Sequence, residues 1–161
     1  FESGLAGGSW NFRPAPPLSA WRLVATTDTI LPWTVSGIAF HNDDACANVE
    51  LTGNKIAVGS ELLNPPSKAF DDDPEALTDW IASCAPPRMG LRGCAANNVW
   101  IGIATEGTEM NVRCLRLRQH RNRDYQALGA ALEKWDGMKW TVLDKSIMPL
   151  FLELSGGTWQ T

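Results

Sequence analysis

Residues 71–78 concentrate more potential metal chemistry than any other stretch of the chain. Asp71-Asp72-Asp73-Pro74-Glu75-Ala76-Leu77-Thr78 follows Ala69-Phe70 and runs into Asp79-Trp80. Carboxylates beside loop carbonyls and a hydroxyl suit a hard, oxygen-ligated cation such as calcium, the one cofactor to which the sequence points. It is not an EF-hand loop, because Pro74 lies inside the run and no Gly stands at the sixth position. A plainer role competes. Asp73 suits the N-cap of a short helix over Pro74–Ala82, with Pro at its first position and Glu75 in its first turn, the other carboxylates being solvated.

A second group is basic: Arg113, Arg116, Arg118, Arg121 and Arg123, with His120 among them. Guanidinium groups in such a run suit an anionic partner, whether phosphate, sulfate, acidic lipid or an acidic protein face. Basic residues also line solvated strand edges, where they discourage edge-to-edge pairing. Arg113 and Arg116 fit that role, and the stretch from Arg118 to Arg123 fits either.

Cys46, Cys84, Cys94 and Cys114 make an even set of four. Zinc fails on spacing, since there is no C-x₂₋₄-C pair and His41 and His120 form no H-x₃₋₅-H pair. Four cysteines allow three pairings. Cys84 and Cys94 bracket a Pro- and Gly-rich loop, APPRMGLRG, whose closure is a natural task for a disulfide, so the pattern favours Cys84–Cys94 with Cys46–Cys114. Two disulfides imply an oxidising, secreted or lumenal compartment. Nothing resembles a nucleophile elbow, a metalloprotease helix or a phosphate loop. Glu106, Glu109, Glu133 and Asp136 are scattered in a way that pairs no two of them, so a non-enzymatic role is expected.

The elements that must position these groups are short. The 161 residues suit one domain with a substantial core. The net charge of -4 and pI near 5.1 argue against nucleic-acid binding. No window approaches the ~18–20 apolar residues of a transmembrane helix. The first residues, FESGLAGGSW, have neither the basic nor the apolar region of a signal peptide. Residues 1–20, rich in Gly and Pro, read as an extended arm in which Trp10 and Phe12 are anchors awaiting a partner. Beyond it, short β-rich runs alternate with Asn-Asp, Gly and Pro turn signals, the pattern of an all-β antiparallel sandwich with at most one short helix. Asp124–Trp135 is ambiguous. Ala127, Leu128, Ala131, Leu132 and Trp135 have helical spacing, yet Asp136-Gly137 before KWTVL is a strong hairpin signal. Tryptophan is over-represented, with 8 against a single Tyr. Trp33, Trp80, Trp100 and Trp140 are expected in the core.

Several of these segments together resemble the discoidin, or F5/8 type C, galactose-binding-like domain. AFDDDPEALTDW (69–80) is similar to that family's A-F-D-G-D-P-x-T-x-W loop, and WDGMKW (135–140) to its late S-D-D-G-x-x-W hairpin. Trp21–Thr26, Gly37–Phe40, Val99–Gly102 and Val112–Leu117 follow the family's strand order, so the resemblance covers about Trp21 to Val142. It implies a discoidin-like jelly roll over 21–150 with a tail over 151–161, and strand–turn–strand from about Gly129 to Val142. It implies calcium at Asp71, Asp73 and Thr78. The family's Gly is Asp72 here and two extra residues precede Thr78, which favours the solvated turn. It also places ligand-binding loops at Asp28–Trp33, with Ile30 and Leu31, and at Ala85–Gly93, with Arg88, Met89, Leu91 and Arg92.

The function that follows is a non-catalytic module binding carbohydrate, anionic lipid or protein. The competing reading is a structural subunit docked in a larger assembly, even an extrinsic one of a photosynthetic complex, through its faces and through Trp10, Phe12, Phe151 and Trp159. For the acidic loop the expectation is at most weak calcium binding. Adding calcium to EDTA-treated protein should shift the melting temperature little, and a large rise abolished by Asp73→Ala would reverse that view.

Overall fold

Turn residues cut this chain into short runs, and in a computed structural model those runs form eight strands among the described residues. The structure describes residues 18–60, 62–71, 79–84 and 93–149, with side chains as far as 143. The strands are β1 (Leu18–Ala25), β2 (Thr34–His41), β3 (Asn54–Ala57), β4 (Trp80–Ile81), β5 (Trp100–Glu106), β6 (Cys114–Gln119), β7 (Gly129–Trp135) and β8 (Trp140–Pro149). A five-stranded sheet, β3-β5-β1-β7-β8, faces a three-stranded sheet, β4-β2-β6, and the pairings are antiparallel. The all-β sandwich expected from the turn pattern is what forms.

Alternation decides which side chains meet between the sheets. Trp21, Leu23 and Ala25 of β1, Ile101 and Ile103 of β5, and Ala130 and Leu132 of β7 point inward from the larger sheet. Val35, Ile38 and Phe40 meet them from β2, with Leu115 and Leu117 from β6. Residues 35 and 38 share a face only because the β2–β6 ladder shifts register between Val35 and Gly37, a bulge that flips the side-chain parity. Trp33 and Trp80 are fully buried and pack edge to face, ring centroids 5.7 Å apart.

Two expectations, on the start of β1 and on the 74–82 helix, need correction. β1 begins at Leu18, three residues inside the expected arm, because Leu18–Ala20 continue the ladder with Ala104–Glu106. Trp80–Ile81, placed by sequence at the end of a helix over 74–82, pair instead with Val35 and Thr34 as β4. Residues 72–78 lie outside the described residues, as do Trp10, Phe12, Phe151 and Trp159. A 3-10 turn, Pro66–Ala69, stands just ahead of the acidic run. The helical spacing over 124–135 gives a 3-10 turn at Arg123–Tyr125 followed by β7, since strand β7 pairs on both edges, with β1 and β8. The Asp136-Gly137 hairpin forms between Trp135 and Trp140, with Gly137 at φ +101°, a conformation that glycine adopts without strain.

Both favoured disulfides are present. Cys46–Cys114, with Cα atoms 5.4 Å apart, ties the β2–β3 connection to β6, and Cys84–Cys94, at 5.3 Å, closes the segment after β4. Alkylation of unreduced protein should therefore label no cysteine. Because the first bridge spans 68 residues of sequence and the second 10, chain entropy ranks them. Replacing Cys46 and Cys114 by serine should cost about 4 kcal/mol, and replacing Cys84 and Cys94 about 3 kcal/mol. Urea unfolding of the two double variants checks the ranking, and the reverse order would contradict it.

Candidate functional site

One end of the sandwich is assembled from loops that are strapped to one another by hydrogen bonds. The β1–β2 connection is held from both sides. Thr29 N donates to Cys94 O and Cys94 N donates back to Thr29 Oγ1, each at 2.9 Å. Ala96 N donates to Asp28 Oδ1 at 2.7 Å. Leu31 N reaches across to Asp124 O at 2.7 Å, and Leu128 N donates to Thr27 Oγ1 at 2.9 Å. Gly93 lies so close that an added Cβ would collide with the backbone of Thr29 and Ile30, so only glycine permits this approach. On the third loop, Asn122 Oδ1 accepts from Asp124 N and caps the 3-10 turn, while Gln126 Nε2 donates to His120 O at 2.6 Å.

This network brings Ile30 and Leu31 to the same loop end as Arg121 and Arg123. Ile30 is 63% exposed and Leu128 44%, and Arg121 and Arg123 are exposed. The tyrosine ring of Tyr125 lies 4.8 Å from His120, whose Nε2 is 4.0 Å from Asp79. The surface therefore combines an apolar tip with guanidinium groups on a braced backbone. Arg88, Met89, Leu91 and Arg92 lie outside the described residues, but the chain resumes at Gly93 directly against Thr29 and Ile30.

Arg118 does not join this surface. It is buried within β6, and its Nη2 donates to Ser36 O at 3.2 Å across the bulge of β2. A register irregularity leaves carbonyls without ladder partners, and the guanidinium supplies a donor there. Arg113 pairs with Asp44 at 2.6 Å on an exposed surface, in keeping with the solvated role expected of it. Of the proposed calcium ligands, Asp71 is half-buried just after the 3-10 turn, and Asp73 and Thr78 lie outside the described residues. Among the described residues no group of three His, Cys, Asp or Glu side chains is placed to hold a metal.

The sequence reading missed an aromatic cluster on the outer face of the larger sheet. Trp100 and Trp140, expected in the core, are half-buried and lie outside it. The Arg22 guanidinium sits 4.3 Å from the Trp140 ring and 5.1 Å from that of Trp100. Its Nε and Nη2 both donate to Glu133 Oε2 at 2.6 Å, on the neighbouring strand position. Trp135 packs edge to face on Trp140 at 5.5 Å. The signal was available in part. Trp21, Leu23 and Ala25 alternate with Arg22, and Glu133 pairs with Arg22 in register, so that parity assigns both to the outer face. The stacking of Trp100 and Trp140 on Arg22 depends on strands far apart in sequence.

Beside this cluster, at the opposite end of β1 from the braced loops, a cleft of about 720 Å³ is lined by Leu18, Glu109, Lys134, Trp135, Asp136 and Thr141, among others. Lys134 Nζ pairs with Glu109 at 3.1 Å. Asp136 serves the hairpin. Its carboxylate accepts from the backbone N–H of Lys139 and of Met138, each at 2.9 Å, and from the Thr141 hydroxyl. These bonds hold its pKa below the ordinary carboxylate value, the backbone bonds most strongly. No protein-family model matches the chain, and comparisons with curated proteins and with solved structures find no match.

The sign of the Asp136 shift sets a pH dependence. A carboxyl whose pKa is lower in the folded chain stabilises fully above its unfolded value, and that contribution fades as pH falls through the folded value. Asp136→Asn should lower the melting temperature at neutral pH and flatten its decline below the ordinary carboxylate range. An unchanged acid slope in the variant would show that the hairpin carboxylate is not coupled to folding.

Proposed function

We propose that this chain is a non-catalytic, discoidin-like interaction module of a secreted or lumenal compartment that binds anionic lipid through its braced loop end. The observation that carries the reading is the exposed Ile30 at the same loop end as the exposed Arg121 and Arg123, where Leu31 N donates to Asp124 O and ties the two loops together. An apolar side chain at a tip can enter the acyl boundary while nearby guanidinium groups meet phosphate. Bracing lowers the ordering cost that a loose loop would incur on binding.

The placement of the sequence motifs supports the family reading. Trp21–Ala25 falls on β1, Gly37–Phe40 on β2, Trp100–Gly102 on β5, Cys114–Leu117 on β6, and Asp136-Gly137 at the β7–β8 turn. The strand order β3-β5-β1-β7-β8 against β4-β2-β6 supports a jelly-roll connection of the two sheets. The disulfides support an oxidising compartment. No helix among the described residues is long and apolar enough to cross a membrane.

Co-sedimentation with vesicles tests the reading. The protein should pellet with phosphatidylcholine vesicles containing phosphatidylserine, less with phosphatidylcholine alone, and less again at high salt. Arg121→Glu with Arg123→Glu should abolish the preference for the anionic vesicles, and Ile30→Asp should weaken pelleting on both. Equal, salt-independent pelleting on the two vesicle types would overturn the proposal. A stable stoichiometric protein partner recovered from native material, without vesicle binding, would favour the docked-subunit reading instead.

A further inference from the structure

The two sulfurs of the Cys84–Cys94 bridge stand in different surroundings, and the difference gives the bridge a direction. Cys84 is half-buried, whereas Cys94 is 2% exposed and belongs to the core. The buried sulfur is also the one that accepts a hydrogen bond, from the backbone N–H of Trp33 at 3.4 Å. A thiolate arriving from solvent meets Cys84 Sγ, and Cys94 Sγ is then the sulfur that departs. Exchange is faster when the departing thiolate is stabilised. Burial by itself resists a thiolate, and the Trp33 N–H, already aimed at the sulfur, offsets that resistance.

Each half of the bridge is held without the S–S bond. Ala82 N donates to Trp33 O at 3.0 Å, and Trp80–Ile81 pair with Val35 and Thr34, so the segment leading into Cys84 is fixed to β2. Cys94 N donates to Thr29 Oγ1 and Cys94 O accepts from Thr29 N, each at 2.9 Å, so Cys94 is fixed to the β1–β2 connection. Trp33 thus touches both sides, one through its carbonyl and one through its N–H. Thiols positioned this way stay close after reduction, and groups held close react as if at high concentration, so the bond re-forms readily. The other bridge lacks these features. Cys46 and Cys114 are both half-buried, so neither sulfur is singled out for attack, and among the described residues no N–H donates to either.

We propose that Cys84–Cys94 is a thiol-exchange site, opened by a dithiol and closed again by a disulfide oxidant while Cys46–Cys114 stays intact. In the first step a thiolate of the dithiol bonds to Cys84 Sγ, the S–S bond of the bridge breaks, and its electron pair leaves on Cys94 Sγ, which takes up a proton. In the second step the other thiol of the reductant, as thiolate, attacks its own sulfur in the mixed disulfide. The reductant departs as a disulfide and Cys84 as a thiolate, so two electrons pass from the dithiol to the bridge. Dithiol proteins of oxidising compartments carry out such exchange, so the site needs no reducing surroundings. Opening it releases a covalent tie between the segment after β4 and Gly93-Cys94, whose backbone lies against Thr29 and Ile30. The exchange itself does not depend on the lipid reading.

A redox titration tests it. The full chain is equilibrated in graded ratios of reduced to oxidised dithiothreitol, quenched and alkylated, and the four cysteines are read by peptide mass spectrometry. Cys84 and Cys94 should become labelled together, at a ratio about tenfold or more below the one that Cys46 and Cys114 require. Near-ultraviolet circular dichroism should keep its folded signal through that first step, and return to oxidised buffer should remove the label. Two single variants read the direction. With oxidised glutathione, the free Cys84 of Cys94→Ser should form a mixed disulfide about tenfold or more faster than the free Cys94 of Cys84→Ser, because access limits the second. Labelling of all four cysteines together, labelling of Cys46 and Cys114 first, or loss of the folded signal with the first label would overturn the proposal. Faster reaction at Cys94 than at Cys84 in the folded variants would overturn it as well.

Discussion

Trp33 is the residue through which the two ends of the small sheet and the loop end are made one structure. Its indole N–H donates to Gln119 Oε1 at 2.7 Å, its backbone N–H to Cys94 Sγ at 3.4 Å, and its carbonyl accepts from Ala82 N at 3.0 Å. Gln119 passes the connection on. Its Oε1 also accepts from Ala127 N at 2.8 Å and its Nε2 donates to Ala127 O at 3.1 Å, an amide clasp between the end of β6 and the start of the run into β7. Trp80 closes the other side of the ring and donates its own N–H to Ser60 Oγ at 2.7 Å. Polar atoms buried this deeply destabilise a core unless each finds a partner, and here the network supplies them. The Cys84–Cys94 bridge is part of the same knot, so redox state, core packing and the placement of the Thr29–Ile30 loop are joined at one point.

Two carboxylates build turns in this fold. Asp43 accepts from the backbone N–H of Ala45, Ala47 and Asn48, and Asp136 from those of Met138 and Lys139. Both pKa values lie below the ordinary carboxylate value for that reason. The Asp43 turn also carries Cys46 at φ +51°, a left-handed conformation that a non-glycine residue holds only when its surroundings fix it. The three backbone bonds and the bridge to Cys114 provide that fixation.

The two candidate surfaces follow from one architectural fact: the strands of the larger sheet run between them. At one end the loops strap each other and leave Ile30 and two arginines outside. At the other the hairpin and the β5–β6 connection leave a cleft beside the Lys134–Glu109 pair. The outer-face cluster of Trp100, Trp140 and Arg22 is stabilised by cation–π contact and by a half-buried ion pair, and it stiffens the hairpin side alone. Its charges are paired within the sheet, so it contributes positioning more than affinity.

The amino-acid order by itself determined the sheet character, the Asp-Gly hairpin and the two bridges. Those depend on local or simple rules: turn residues punctuate short β-rich runs, Asp-Gly accepts the backbone of a tight hairpin, and a Pro- and Gly-rich loop between cysteines invites closure. It also drew attention to Arg121 and Arg123 as basic residues in a loop, whereas Ile30 and Leu31 were singled out through the family resemblance. Tertiary structure decided the rest. Trp80 became a strand residue because β2 offered it an edge, which no local helix signal could register. Arg118 was drawn against its own sheet because a bulge in a strand 82 residues earlier presented a carbonyl to it. Trp100 and Trp140 went outward because strand parity, once fixed by the core, left no choice of face. Glu109, Lys134 and Trp135 met at a cleft because β1 lies between β5 and β7, a pairing order on which the linear sequence is silent.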